Sequence, residues 1–327
     1  METDFMKSLR TIESDGFKWI DLPRPTRREM DALGRLYSFH DLNLEDSLSK
    51  TQLPKVERHT NYIFVIVHFP SWGKERHVPR VSQLSMFLGS NFLVTVHQGD
   101  LEPLMDLFKM CQENPSQREN LMGKEPGYLL HTIIDTLVDD LFHILMKVVG
   151  NIDDIEEGVF NEKMSEAREI SILRREITIL RRLILPMRRI VLELSRDIQR
   201  FSKEDLTPYF YDVKDHIEKV LETLDESKET IEIYKDTDFM LSSEKSNRIL
   251  SILTILFTLS IPVTIISTFY GMNLPLPGDN NNPALRIFGN YTTLIILLIG
   301  AVTSTTLLLW YFRREGWISI GIHRHMH

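Results

Sequence analysis

Hydrophobic and polar positions follow different periods in successive parts of this chain. In the first third, Tyr62–His68 (YIFVIVH), Val81–Leu88 and Phe92–His97 are short β-branched and aromatic runs. Turn residues such as Gly73 and Gly89-Ser90-Asn91 bound them, so they predict strands. Glu29–Phe39 and Leu101–Gln112 place apolar residues at helical spacing. From about Gly127 the helical period takes over. Leu129–Glu162 carries Asp135, Asp139, Asp140, Asp153, Asp154, Glu156 and Glu157. Glu166–Gln199 carries Arg174, Arg181, Arg188 and Arg175, Arg182, Arg189, repeating every seven residues and so holding to one side of a helix. The pattern predicts a solvated helical hairpin, held by an apolar seam and by acid–base pairing between its arms. An Arg stripe matched by a neighbouring acidic segment is poorly placed to meet phosphates, so no nucleic-acid partner is expected. A third helical stretch starts near Tyr209 and meets only Pro262 before Phe269. About 60 residues at about 1.5 Å each make a rod of roughly 90 Å.

Charge segregates sharply. It is dense up to Arg248 and nearly absent until Arg313, with only Asp279 and Arg286 between. Ile249–Phe269 (ILSILTILFTLSIPVTIISTF) and Tyr291–Phe312 (YTTLIILLIGAVTSTTLLLWYF) are uncharged. About 20 such residues suffice to cross a bilayer core. Lys245 and Arg248 precede the first span, and Arg313, Arg314 and Arg324 follow the second. Positive-inside logic puts both termini in the cytosol and the loop Leu274–Asn290 outside. Tyr270 and Tyr291 then lie at the outer interface, Trp310 and Tyr311 at the inner one. Seven Ser and Thr residues make the first span polar for an anchor, although hydroxyls can bond back to their own helix. Two helices cannot enclose water, so a pore requires several copies around an axis.

Composition adds less. The 327 residues are 26% charged with net charge −8, which alone would describe a soluble protein of about two domains. Cys111 is the only cysteine, so an intramolecular disulfide is excluded and a reducing compartment is expected. METDFMKSLRTIESDGF has no apolar run, so no cleavable signal peptide is expected. No Walker sequence, nucleophile elbow, HExxH or CxxC is present, and the Ser, His and Asp residues show no triad spacing. No enzyme and no organic cofactor are expected.

After the first span comes Tyr270-Gly271-Met272-Asn273. At the outer end of the first of two C-terminal spans, behind a long helix, this resembles the GMN signature of the CorA family of Mg²⁺ channels. Trp19-Ile20-Asp21, His40-Asp41-Leu42 through Glu45-Asp46, and Pro54-Lys55-Val56-Glu57 resemble that family's α/β domain. Asp135–Phe160 and Leu173–Arg189 resemble its antiparallel helices, and Thr207–Val213 the start of its stalk. The resemblance implies a funnel-shaped homopentameric channel in the inner membrane, in contact with lipid. It has an α/β cytosolic domain (1–126), a charged hairpin (127–206), a stalk continuing into the first transmembrane helix (207–269), an external loop with GMN (270–290), a second transmembrane helix (291–312) and a basic tail (313–327).

Mg²⁺ gives up its water reluctantly, and no acidic pair lies in or beside the spans to strip it. A ring of Asn273 carbonyls, with Gly271 allowing a tight turn and Met272 between them, is expected to hold a hydrated ion weakly enough to release it. Asp236, Met240, Ser243, Asn247 and Leu250 are spaced 4, 3, 4 and 3. Leu253 (or Thr254), Phe257, Ile261, Thr264 and Thr268 continue the stripe, which by resemblance is the pore face. A dry oligomer seam is the alternative, and an unpaired carboxylate ring at Asp236 would be costly there. Leu250, Leu253 and Ile261 are expected to form a hydrophobic gate.

The resemblance also implies a regulatory Mg²⁺ between a stalk acid, matched by Asp212, and an acid of the neighbouring subunit's α/β domain. The matching loop, Pro70–Arg76, holds only Glu75 between two cations. Either Glu75 serves, or Glu45 or Asp46 does, or regulation is weak. Asp212 can equally be a simple helix-start carboxylate. The external loop has a single acid, Asp279, so cation concentration at the mouth should be modest. Arg313 and Arg314 are expected to form a basic inner ring, and the His323–His327 tail is not expected to select metals. A Co²⁺, Ni²⁺ or Zn²⁺ transporter on the same fold and a non-conducting Mg²⁺ sensor are the competing readings. Met272, where related Zn²⁺ transporters tend to have Ile, mildly favours Mg²⁺.

Overall fold

The computed structural model describes residues 10–49, 52–71, 79–160, 167–272 and 289–315. The chain divides into two compact units, Met1–Phe239 and Met240–His327.

The first unit opens with a hairpin of β1 (Arg10–Ser14) and β2 (Phe17–Pro23). Asp15 and Gly16 join them with φ of 49° and 79°. Two positive φ values in a two-residue loop give a turn that matches strand twist, and Asp-Gly is its preferred sequence. Helices α1 (Arg27–Tyr37) and α2 (Asp41–Leu48) follow, then strands β3 (Lys55–Arg58), β4 (Tyr62–Ser71), β5 (Arg80–Gly89) and β6 (Phe92–His97). Thr26 starts α1 with a reciprocal capping box, its backbone N–H donating to Glu29 Oε2 at 2.7 Å. The strand order is β1-β2-β6-β5-β4-β3; β2 and β6 are parallel and the other pairs antiparallel.

One face of the sheet packs Ile20, Phe64, Phe87 and Val94 against Met30 and Leu33 of α1 and Leu44 of α2. The other face takes two later helices, α5 (Pro126–Phe160) on β5 and β6, and α6 (Ala167–Asp197) on β3 and β4. With both faces covered, β4 to β6 are buried almost throughout, which is why they read as continuous apolar runs. The short helices α3 (Glu102–Glu113) and α4 (Pro115–Met122) lead from β6 into α5.

Helix α7 (Thr207–Tyr270) is continuous through Pro262. Its first half buries Phe210, Val213, Ile217, Val220, Leu224 and Ile231, a 3–4 repeat that forms a helical seam. Here the structure departs from the expected hairpin pairing. The first Arg stripe of α6 meets acids of α7, not of α5. Arg174 pairs with Glu232, Arg181 Nε lies 2.5 Å from Asp225 Oδ1, and Arg188 Nη1 lies 3.8 Å from Glu218 Oε1. The partners also step by seven, in the opposite direction, so the two helices are antiparallel. The apolar seam of α6 faces the sheet and the bundle, which turns this Arg stripe to the flank beside α7. Each exposed rung is worth about 0.2–1 kcal/mol. The acids of α5 meet α7 elsewhere: Asp139 lies 3.5 Å from His216, and Glu156 hydrogen-bonds Tyr234. Both contacts offset the numbering by 77 or 78, so α5 runs parallel to α7. Burial, with Glu156 beside it, pushes the Tyr234 hydroxyl up to about 12.

The second unit holds the rest of α7 and helix α8 (Thr292–Arg314). Each provides a segment long and apolar enough to cross a membrane, and neither segment is buried within the chain.

Candidate functional site

Asp212 and His216 stand four residues apart in the second and third turns of α7, on one face of the helix. Asp135 of α5 comes up opposite them. One ligand atom from each lies within 4.8 Å of the other two. Burial raises the Asp135 carboxyl above the usual range, and the negative charge of Asp139 adds to the shift. His216 Nδ1 is buried and makes no hydrogen bond, with Asp139 Oδ1 3.5 Å away. Phe142 meets the His216 ring edge-on at 5.6 Å between centroids and walls one side. A divalent cation fits this donor set, because it relieves repulsion between Asp135 and Asp212 and can take an imidazole nitrogen as a further ligand. The carboxylate oxygens suit Mg²⁺ with part of its water retained, and the imidazole adds affinity for Co²⁺, Ni²⁺ or Zn²⁺.

Of the sequence-expected regulatory pair, Asp212 therefore lies in a cluster, whereas Glu75 lies outside the described residues. The other two candidates, expected from a neighbouring subunit, are not part of this cluster within one chain. Asp46 accepts from Lys55 Nζ at 2.6 Å, and Glu45 is exposed away from the cluster. His216 is not among the residues expected from the sequence, where Asp135 stands only with the hairpin acids. The Asp-x-x-x-His spacing on the stalk was the available signal.

Further along α7, Asp236, Met240, Ser243, Asn247, Leu250, Leu253, Phe257, Ile261, Thr264 and Thr268 are all exposed. Ile255, Thr258, Leu259, Pro262 and Ile266, on the other side of the helix, are half-covered. Gly300 of α8 approaches there: a Cβ placed on it would stand 3.1 Å from Ile266 Cδ1. Helix α8 thus meets α7 on this side, and the stripe from Leu250 to Thr268 lies on the other. Thr264 and Thr268 each donate their hydroxyl hydrogen to a carbonyl one turn back, on Ser260 at 2.9 Å and Thr264 at 2.7 Å. Their oxygens are left to face outward as acceptors, the polarity a hydrated cation requires.

The end of α7 is closed by Gly271 N–H donating to the Ser267 and Thr268 carbonyls at 3.0 and 3.1 Å, and Met272 N–H to that of Phe269 at 3.3 Å. Gly271 and Met272 are exposed; Asn273 lies outside the described residues. Arg313 and Arg314 end α8 and are exposed, with the Arg314 guanidinium 5.5 Å from the Trp310 ring centre. Two cations at a helix C-terminus complement its dipole.

Residues 14–314 match the family model described as CorA-like Mg2+ transporter protein. The cobalt/magnesium transport protein CorA of Thermotoga maritima is 29% identical over 319 residues, 97% of this chain and 88% of that protein. The putative metal ion transporter YfjQ of Bacillus subtilis is 28% identical, covering 92% of this chain and 90% of the relative. Among solved structures, the CorA magnesium transporter of Methanocaldococcus jannaschii superposes with a TM-score of 0.77 at 21% identity, covering 94% of this chain and 93% of that one. Full-length CmaX superposes with a TM-score of 0.73 at 19% identity, covering 92% and 89%. At these identities the superpositions speak for the fold. With a family model matched over nearly its whole length, on a fold ending in two helices fit to cross a membrane, the chain belongs to the CorA-like metal-ion transporters and is not an enzyme.

Proposed function

We propose that this chain is the subunit of a homopentameric channel of the inner membrane that admits hydrated Mg²⁺ to the cytosol, where both termini lie. The observation that carries the reading is the two-sidedness of α7: within its apolar segment one side meets α8 at Gly300, while Leu250, Leu253, Phe257, Ile261, Thr264 and Thr268 on the other are exposed, a stripe that continues back along the same helix to Asn247, Ser243, Met240 and Asp236. A stripe of this kind fits a water-filled axis shared with other copies. In that arrangement Asn273, behind Gly271 and Met272, supplies the selecting ring of carbonyl acceptors. Leu250, Leu253 and Ile261 form the constriction that dewets when shut. Asp236, Met240, Ser243 and Asn247 line the inner path, and Phe257, Thr264 and Thr268 line the outer one. Arg313 and Arg314 form a basic ring at the inner mouth and meet anionic lipid headgroups.

Intracellular Mg²⁺ at Asp135, Asp212 and His216 regulates the channel by fastening α5 to α7. Glu75 remains the proposed contribution of a neighbouring subunit. His216 favours one second reading, transport or regulation by Co²⁺ or Ni²⁺, because imidazole binds those ions better than it binds Mg²⁺. The test is flux of Mg²⁺, Co²⁺, Ni²⁺ and Zn²⁺ into liposomes holding the purified protein, with and without internal Mg²⁺. Mg²⁺ entry that internal Mg²⁺ suppresses, and that Asn273→Ala abolishes, is the expected result. Entry of transition metals alone would give the second reading. Normal Mg²⁺ flux through Asn273→Ala would remove Asn273 as the filter.

A further inference from the structure

We propose that Gly300 is a positioning residue for conduction: the notch it leaves in α8 receives Ile266 and fixes the rotation of α7, aiming Thr264 and Thr268 at the ion path. The inference rests on the reading of α7 as the pore helix and adds what orients it.

The notch follows from three observations. Gly300 lies in the middle of a 23-residue helix, a position where glycine costs helix propensity and supplies no side chain. A Cβ there would stand 3.1 Å from Ile266 Cδ1, closer than ordinary side-chain contacts, so the Ile266 side chain reaches into the space a side chain at 300 would fill. The half-covered residues Thr258, Leu259, Pro262 and Ile266 of α7 recur every three or four positions, as do Gly300, Ala301, Ser304, Thr305 and Leu308 of α8. These half-covered positions mark the sides on which the two helices face each other, and the close approach is the one at Gly300.

The angular consequence is direct. At about 100° per residue, a side chain two positions away points about 160° from its reference. Ile266 lies two positions from both Thr264 and Thr268, so holding Ile266 against α8 turns both threonines to the bare side. Gly271 comes only three residues after Thr268, so the same rotation sets where the helix end at Gly271 and Met272 is presented. A Cβ added at Gly300 must push the Ile266 Cδ1 aside by a few tenths of an ångström, and a longer side chain by more. At a helix radius of about 5–6 Å, a 20° turn of α7 moves its side-chain tips by about 2 Å. That is enough to take an acceptor oxygen out of reach of a cation's water shell.

The test is cysteine accessibility in the full-length protein in liposomes. Cys111 is buried, and burial pushes its thiol up to about 11, so the native cysteine is a silent background. Single cysteines replace Thr264, Ile265, Ile266, Ser267 or Thr268, and a small water-soluble methanethiosulfonate reports its reaction rate and the block of Mg²⁺ flux. In the parent, Thr264→Cys and Thr268→Cys react and block, and Ile266→Cys does not. In Gly300→Leu, the rate at Thr268→Cys should fall several-fold while Ile265→Cys or Ser267→Cys rises by a similar factor. Gly300→Ala should move the pattern the same way by less, which keeps the test usable if the leucine variant does not fold. Adding Ile266→Ala to Gly300→Leu should restore the parental pattern and flux, because the volumes are exchanged across the contact. An unchanged pattern in a stable Gly300→Leu or Gly300→Ala protein, or no rescue by Ile266→Ala, overturns the proposal. If Thr264→Cys and Thr268→Cys fail to react in the parent, the pore reading itself falls and the notch's role in conduction falls with it.

Discussion

Replacing Asp135 by Asn removes one carboxylate from the α5–α7 cluster and keeps its size. In the metal-free protein, Asp135 and Asp212 offer oxygens within 4.8 Å of each other. Unit charges about 4.8 Å apart repel by about 1 kcal/mol in bulk water and about 3.5 kcal/mol at an effective dielectric near 20. Asp212 is exposed, so the lower figure applies. Neutralising Asp135 should therefore raise the metal-free Tm by about 2–4 °C, the shift that about 1 kcal/mol gives for a unit of roughly 150–250 residues. Mg²⁺ does the opposite to the ranking. At about 100 times its Kd it stabilises the parent by about 2.7 kcal/mol, about 5–10 °C on the same scale. Asp135→Asn should lose most of that gain. The two melting curves should cross: variant above parent in chelator, parent above variant in excess Mg²⁺. The assay is thermal unfolding of the detergent-solubilised full chain across a Mg²⁺ titration. Equal Mg²⁺-induced shifts in the two proteins, or a lower Tm for the variant in chelator, would refute the assignment of Asp135 as a ligand.

Three other outcomes are expected. Because the folded protein raises the Asp135 carboxyl, a proton competes with the metal there; as pH falls through that raised pKa, the Mg²⁺-induced Tm rise should shrink. The metal-free protein should gain stability over the same interval, a gain complete below the ordinary Asp value and absent above the raised one, and Asp135→Asn should remove both trends. Arg181→Glu should destabilise the bundle by about 1 kcal/mol in urea unfolding, and Asp225→Arg in the same chain should restore most of it; no recovery would break the assigned rung. Leu250→Asn or Leu253→Asn should raise Mg²⁺ leak into liposomes at internal Mg²⁺ that shuts the parent, and a leak equal to the parent's would count against the apolar constriction.

Strands β4, β5 and β6 were legible because burial on both faces leaves little for them to be but apolar. Strand β1 was not. Its sequence, Arg10-Thr11-Ile12-Glu13-Ser14, buries only Ile12 and owes its place to pairing with β2. The signal that predicts this hairpin, Asp15-Gly16, stood in the sequence and went unused. The seven-residue Arg period on α6 was visible, and so was the matching period of Glu218, Asp225 and Glu232. That these two stripes meet each other depends on which helix the apolar seam turns toward, a tertiary outcome. The cation cluster divides in the same way. Asp212 came from resemblance, and His216 shares its helix face. Asp135 joins only because α5 runs parallel to α7 at an offset of 77 residues. The stripe from Asp236 to Thr268 was readable from spacing alone, because a long helix keeps its angular order whatever surrounds it.

The rungs Arg174–Glu232, Arg181–Asp225 and Arg188–Glu218 also limit how such a chain can vary in length. Both helices are graduated in the same unit of seven residues, about 10.5 Å of rise. Removing one unit from α6 and one from α7 together drops a rung and leaves the others matched. The same cut from α7 alone leaves Arg174 without its partner acid. A single deleted residue turns everything beyond it by about 100°, carrying the acids off the flank they share with the arginines. The stretch of α7 between the cation cluster and Met240 therefore has a quantised length. Relatives with shorter or longer bundles should differ by paired heptads, and grafts between them should be cut at equivalent rungs.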